Sequence, residues 1–78
     1  MQLPEKIELY HNPEKGESVA LILDCNNNII HTLRGETYNI EVKAKSKLTE
    51  LYNRYVSGED LHAVTEKING NLWYKTTI

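Results

Sequence analysis

The sequence predicts a small α+β domain, on three observations. Residues 19–23 form an unbroken apolar run, and three asparagines separate this run from a second apolar stretch that begins at Ile29, which is the pattern of a β-hairpin. Apolar residues then alternate, and from Leu48 onwards they recur with helical spacing. A chain of 78 residues is the length of one domain. We therefore expect a single domain over residues 1–78, built as an antiparallel four-strand meander, two short helices packed on one face, and a C-terminal closing strand.

The first three predicted strands are residues 5–11 and the two arms of a hairpin over residues 18–34. A three-residue loop, 26–28, would set Cys25 opposite Ile29 and place every second hairpin residue on one face. We expect this face to lie under the helices, with Ala20 and Ile22 on the other face. Its residues are Val19, Leu21, Leu23, Cys25, Ile29, His31 and Leu33.

Residues 37–44 alternate between apolar and polar side chains, which predicts a half-buried fourth strand. Outward-facing lysines on this strand would protect the sheet edge from pairing with other chains. The first helix is expected to begin at Ser46 as its N-cap, with one apolar stripe. The members of that stripe are Leu48, Leu51, Tyr52, Tyr55 and Val56.

A second short helix is predicted after Ser57, which can cap it, with Glu59 and Asp60 at its positive end. Its apolar stripe would be Leu61, Val64 and Ile68. Residues 72–78 are rich in strand formers and predict the closing strand. The helix stripes and the covered sheet face should share one core, with the members Leu21, Leu23, Leu33, Leu48, Leu51 and Leu61.

Charge and composition give expectations about compartment and partners. The net charge of −2 provides no overall attraction to nucleic acid or to an anionic membrane. No apolar run approaches the roughly 18–20 residues of a membrane span, and the first residues lack the features of a signal peptide. A single cysteine suits a reducing compartment. We therefore expect a cytoplasmic protein without a membrane partner. A dimer is compatible with this composition, but nothing in it requires one.

The residues that could support catalysis are better explained by structural roles. Cys25 is expected to be a small buried hydrophobic residue, and no two of the three histidines lie at a metal-ligand spacing. Glu59 and Asp60 are consecutive on a predicted helix, so their carboxylates point about 100° apart. The glycines are scattered and form no phosphate-binding loop. We expect no enzyme activity, no cofactor and no metal.

Two surface features are candidates for partner binding. Strand alternation places Trp73 and Lys75 together on the face away from the helices, and an exposed Trp is a typical anchor of protein interfaces. A row of lysines from Lys43 to Lys47, with Arg54 nearby, could follow a phosphate backbone. The candidate partner-binding residues are Trp73, Lys75, Lys43, Lys45, Lys47 and Arg54.

The resulting functional expectation is a small non-enzymatic protein-binding module or inhibitor that acts by occupying the surface of a partner protein. In size and in its lack of a catalytic motif, the chain resembles the accessory and inhibitor proteins encoded by phages and mobile elements. One alternative is a nucleic-acid-binding domain that uses the lysine row. A second alternative is a protein that binds or sequesters a small ligand, which would require a polar pocket.

Overall fold

A computed structural model describes residues 3–64 and 74–77, which form one four-stranded antiparallel sheet and one helix. The elements are β1 (Pro4–Asn12), β2 (Glu17–Asp24), β3 (Ile29–Glu36), α1 (Thr37–Val56) and β4 (Tyr74–Thr77). The strand order in the sheet is β3-β2-β1-β4, so β4 pairs with β1. The predicted α+β class and the closing strand are confirmed. The predicted four-strand meander is wrong, because the meander has three strands and the fourth strand of the sheet is β4.

The predicted fourth strand, residues 37–44, is instead the beginning of α1, and Ser46 lies inside this helix rather than capping it. Alternation would put Tyr38, Ile40, Val42 and Ala44 on one face. In the structure, Ile40 and Ala44 are buried, whereas Tyr38 is 80% and Val42 is 70% exposed. The pair Ile40 and Ala44 has i,i+4 spacing, which continues the helical period towards Leu51. Burial against the sheet therefore selects the helical period over the two-residue period.

The predicted second helix is not found in residues 57–64. Ser57 is the C-cap of α1, and Gly58 follows with a φ of +95°, a left-handed conformation that ends helices and favours glycine. The chain then returns to the sheet, where the Val64 backbone N–H donates a 2.8 Å hydrogen bond to the Ile29 carbonyl. Ile68, the last residue of the predicted stripe, lies outside the described residues.

The β2–β3 turn is organised by the buried side chain of Asp24. Its Oδ1 accepts 2.8 Å hydrogen bonds from the backbone N–H groups of Asn26 and Asn28, and Asn27 adopts a left-handed φ of +67°. Cys25 is consequently exposed in this turn, which corrects its predicted burial. The predicted three-residue loop is also wrong, because residues 25–28 all lie between the two strands.

The observed register differs from the predicted one. Leu23 pairs with Ile29 and Ile22 pairs with His31, with an irregularity between the two pairs. Because side chains alternate along a strand, this shift moves His31 and Leu33 to the face that carries Ile22. That face, with Ile7 and Leu9 of β1, lies under α1, as the members of the main core cluster show. Buried members of this cluster are Ile7, Ala20, Ile22, Ile30, Ile40, Ala44 and Leu51, with Leu9, Leu33, Leu48 and Leu61 packed against them.

A second apolar cluster lies on the opposite face of the sheet. It contains Val19, Leu21 and Leu23, with Tyr10 and Ile29 packed against them. The expected single core is therefore correct for Leu33, Leu48, Leu51 and Leu61 and wrong for Leu21 and Leu23. Every residue of β2 from Ser18 to Asp24 is buried, which explains why an unbroken apolar run occupies this central strand.

Candidate protein-interaction surface

The most apolar exposed surface of α1 is a stripe along the side of the helix that faces away from the sheet. Its apolar members are Tyr38, Val42, Tyr52 and Val56, which are 80%, 70%, 48% and 64% exposed. Lys45 and Thr49, both exposed, lie between them. At about 100° per residue, all six side chains fall within roughly 40° of one line along the helix. We call this surface the outer stripe, and its members are Tyr38, Val42, Lys45, Thr49, Tyr52 and Val56.

The neighbouring side of α1, above β3, has a different composition. It carries Lys43, Lys47, Glu50 and Arg54, four charged residues, whereas Lys45 is the single charged residue of the outer stripe. A helix face that only meets water is expected to be charged or polar, as this neighbouring side is. The outer stripe departs from that pattern, so its composition requires a different explanation from solvation.

The lysine row expected from the sequence does not exist as a single row, because its members lie on a helix. Lys43 and Lys47 are one turn apart on the charged side, whereas Lys45 is rotated by about 200° from Lys43 and belongs to the outer stripe. Lys45 also lies 3.7 Å from a Glu41 carboxylate oxygen. The helix therefore removes the continuous phosphate-tracking edge on which the nucleic-acid alternative depends.

Two cations of the charged side pair with carboxylates. Lys47 forms an ion pair with Glu50, and Arg54 forms a two-pronged ion pair with Glu59 just after the helix. Hydrogen bonds from these cations lower the pKa of Glu50 and of Glu59 below their ordinary values. Both pairings reduce the positive field of this side of the helix.

His31 belongs to β3 and lies near the charged side of α1. Burial lowers the pKa of His31, and the charge of Lys47 and, more weakly, of Arg54 lowers it further, against the opposite effect of Glu50. The imidazole is therefore neutral near pH 7 and adds no positive charge. An open cleft nearby is lined by Leu33, Lys43, Ser46, Lys47 and Glu50.

The C-terminal candidate site is described only in part. Lys75 lies in β4 opposite Tyr10, on the face away from α1, as expected. Its ammonium is 2.8 Å from a Glu8 carboxylate oxygen, and this hydrogen bond and charge raise the pKa of Lys75. Lys75 therefore ties β4 to β1. Trp73 lies outside the described residues.

Potential metal ligands are not clustered in the described part of the chain. No group of three or more His, Cys, Asp and Glu side chains in residues 3–64 and 74–77 is arranged to hold a metal ion. An open cleft follows the end of α1 and includes Glu59, Asp60 and His62. Glu59 in this cleft is engaged by Arg54. The carboxylates there act as partners of a cation and of solvent.

Comparisons with known proteins add no identification: no family model, no curated protein and no solved structure matches this chain. Within the described residues, no helix combines the length and the apolar character needed to cross a membrane.

The sequence analysis predicted none of the four apolar members of the outer stripe as surface residues. Tyr38 and Val42 were assigned to a strand, and Tyr52 and Val56 were wrongly assigned to the helix stripe that packs on the sheet. The signal that identifies them is the spacing of the outer stripe, 38-42-45-49-52-56, in which steps of four and three alternate. This is the spacing of a coiled-coil seam. It extends from the first to the last turn of α1 and crosses residues 44–46, the predicted boundary between the fourth strand and the first helix.

Proposed function

We propose that this chain is a small non-enzymatic protein-binding module that associates with its partner through the outer stripe of α1. The observation that supports this proposal most directly is the exposure of two tyrosines and two valines along one line of a helix whose opposite side packs on the sheet. Large exposed aromatic residues next to aliphatic ones are typical of interface anchors. A chain bound through the outer stripe would act by covering part of the partner's surface, as an inhibitor does.

The architecture supports this mode of action. α1 is fixed to the sheet by Ile40, Ala44 and Leu51, which are at most 3% exposed. The outer stripe is therefore presented by a pre-ordered helix, so little conformational entropy is lost when a partner binds. A partner helix laid along this stripe would contact residues separated by three or four positions, which is the geometry of helix-in-groove recognition.

The proposal is tested by capture from native cells with the tagged chain and with a Val56→Glu variant. We expect the wild-type chain to retain a protein, which is either a second copy of the chain or another polypeptide, and which is then purified and titrated. Placing a carboxylate in the stripe should weaken that binding by about thirtyfold or more. Val64→Glu is the matched control, because Val64 is also exposed, at 45%, but lies outside α1. Equal binding by the wild-type chain and Val56→Glu would reject the proposal.

A further inference from the structure

The residues of the outer stripe also indicate which partner it binds. We propose that its partner is a second copy of this chain, with the two α1 helices packed side by side and antiparallel. This inference rests on the proposed function, because it identifies the protein that the outer stripe binds. It follows from the spacing of the stripe, from the order of its residues and from the distribution of charge around it.

The spacing makes the stripe a seam suited to another helix. Alternating steps of four and three give a mean period of 3.5 residues, at which a left-handed pair of helices stays in contact. Val42, Thr49 and Val56 occupy one set of seam positions, and all three are β-branched. Tyr38, Lys45 and Tyr52 occupy the other set. Position 38 lies about 27 Å from position 56 along the helix, so the seam covers nearly all of α1.

The order of residues selects an antiparallel pair. When two copies are aligned about position 47, Tyr38 of one copy meets Val56 of the other, and Val42 meets Tyr52. Each apolar layer then combines one large and one small side chain, which fills space better than two large or two small ones. The sequence of the stripe is therefore complementary to its own reverse, as a two-fold symmetric interface requires.

The charge of the stripe favours the antiparallel over the parallel arrangement. In a parallel pair, Lys45 would meet Lys45 of the other copy at the centre of the seam, and two like charges would be brought together. In the antiparallel pair, Lys45 meets Thr49, whose hydroxyl oxygen can accept a hydrogen bond from the ammonium. Glu41 on the same helix lies 3.7 Å from the Lys45 ammonium and remains beside it at the edge of the seam.

One edge of the seam is neutral. Asn39, Ser46 and Asn53 follow it at seven-residue intervals, so no charge along this edge repels a second copy. A seam of one helix per copy is small beside the roughly 1,200 Å² or more that stable interfaces bury. We therefore expect a reversible dimer with a dissociation constant in the micromolar range.

The first experiment is sedimentation equilibrium of the wild-type chain over a wide concentration range. The average mass should rise from 9.0 kDa towards twice that value as concentration increases. Val42→Glu should raise the dissociation constant at least thirtyfold, while Val64→Glu should leave it unchanged. Lys45→Leu should lower it, because leucine suits this seam position better than a charge. Circular dichroism verifies that each variant remains folded.

The second experiment tests the orientation by disulfide trapping, with Cys25→Ser in every chain. A Val42→Cys chain mixed with a Tyr52→Cys chain should form a mixed disulfide on mild oxidation. Each chain alone should not, because the two copies of either position lie about 15 Å apart along an antiparallel seam and a disulfide spans less than about 7 Å between Cα atoms. Efficient disulfides within each single-variant sample, and none in the mixture, would overturn the antiparallel arrangement.

The two proposals fail in distinguishable ways. A wild-type chain that stays monomeric at every concentration, yet retains another protein that Val56→Glu releases, would reject the second-copy inference and leave the binding function standing. A chain that neither self-associates nor retains any protein through the stripe would reject both. Self-association that Val42→Glu does not weaken would place the dimer elsewhere and overturn the inference.

Discussion

Asp24 shows how one side chain sets the geometry of a hairpin. Burial alone would raise the pKa of this carboxyl group, but hydrogen bonds from Asn28 and Asn26 outweigh that effect and hold the pKa below its ordinary value. The charged form is therefore the one that the turn stabilises. An aspartate at the end of an apolar run is visible in the sequence, but its burial and its hydrogen bonds from Asn26 and Asn28 are not.

We expect Asp24→Ala to lower the free energy of unfolding by about 1–3 kcal/mol, because the turn N–H groups lose a charged acceptor. For a domain of this size, the melting temperature should fall by about 5–20 °C. Asn26→Ala is the control, since its backbone N–H still donates to Asp24. Equal melting temperatures for the wild type and Asp24→Ala would show that the turn does not depend on this carboxylate.

The stability of the wild type should also depend on acid through Asp24. Its carboxyl group has a lower pKa folded than unfolded, where the ordinary value is 3.8. The stabilisation is therefore complete above that value and is lost as the pH falls through the lower, folded pKa. Asp24→Asn cannot ionise, so denaturant unfolding at a series of pH values should give a shallower acid limb than the wild type. Identical acid limbs would contradict this assignment.

Cys25 is exposed although the sequence predicted it to be buried. As an exposed thiol, it should react with a small thiol reagent in the folded protein as fast as in the unfolded one. Cys25→Ser should change the melting temperature by less than about 4 °C, because surface substitutions usually alter the free energy of unfolding by no more than about 0.5 kcal/mol. Strong protection of the thiol in the folded state would instead support burial.

At the scale of the element, α1 contains a segment whose apolar residues fit two periodicities, that of a strand and that of a helix. Residues 37–44 satisfy strand alternation and also continue a helical stripe through Ile40 and Ala44. Local pattern alone cannot choose between them, because both assign Ile40 and Ala44 to a buried face. They differ at Tyr38 and Val42, which the helix exposes and a strand would bury.

This difference gives a direct test by paired substitutions. Ile40→Ala should cost about 2–5 kcal/mol of unfolding free energy, because a buried side chain is truncated in the core. Val42→Ala should cost less than about 0.5 kcal/mol, because its side chain is exposed in the monomer. The comparison is made by chemical denaturation at a concentration where the chain is monomeric. Similar large losses for both variants would indicate the strand.

At the scale of the whole molecule, β2 is buried on both faces, so two apolar clusters share one central strand. The centre of the sheet therefore packs apolar side chains on both faces and does not expose one face to solvent. The net charge of the chain is −2, and two cations of the charged side, Lys47 and Arg54, are paired with carboxylates. Together these features leave the outer stripe as the exposed surface with the strongest apolar character on α1.

The paired cations lead to a prediction about nucleic acid. We expect no measurable binding to duplex DNA at low salt, because Lys43, Lys45 and Lys47 do not form one row. A fluorescence anisotropy titration at several salt concentrations measures this. Binding that falls with a log–log slope of about −0.9 per phosphate, and that flattens when the three lysines are changed to glutamine, would restore the nucleic-acid alternative.

The sequence by itself determined the α+β class, the hairpin, the closing strand and the packing of Leu48 and Leu51 on the sheet. These features depend on local patterns, such as an unbroken apolar run, turn residues and helical spacing, that few competing structures satisfy. The sequence analysis wrongly assigned Tyr52 and Val56 to the same packed stripe, although the structure exposes both. The predicted surface site at Trp73 lies outside the described residues, and the face of Lys75 followed correctly from strand alternation.

Tertiary structure alone decided the start of α1, the hairpin register and the outer stripe. Each depends on which side of a segment meets the sheet, and that choice is made by packing between residues distant in the chain. The buried side chain of Asp24 fixes the turn and so exposes Cys25. The packing of Ile40 and Ala44 on the sheet makes residues 37–44 helical, and this same packing turns Tyr38 and Val42 outward to form the outer stripe.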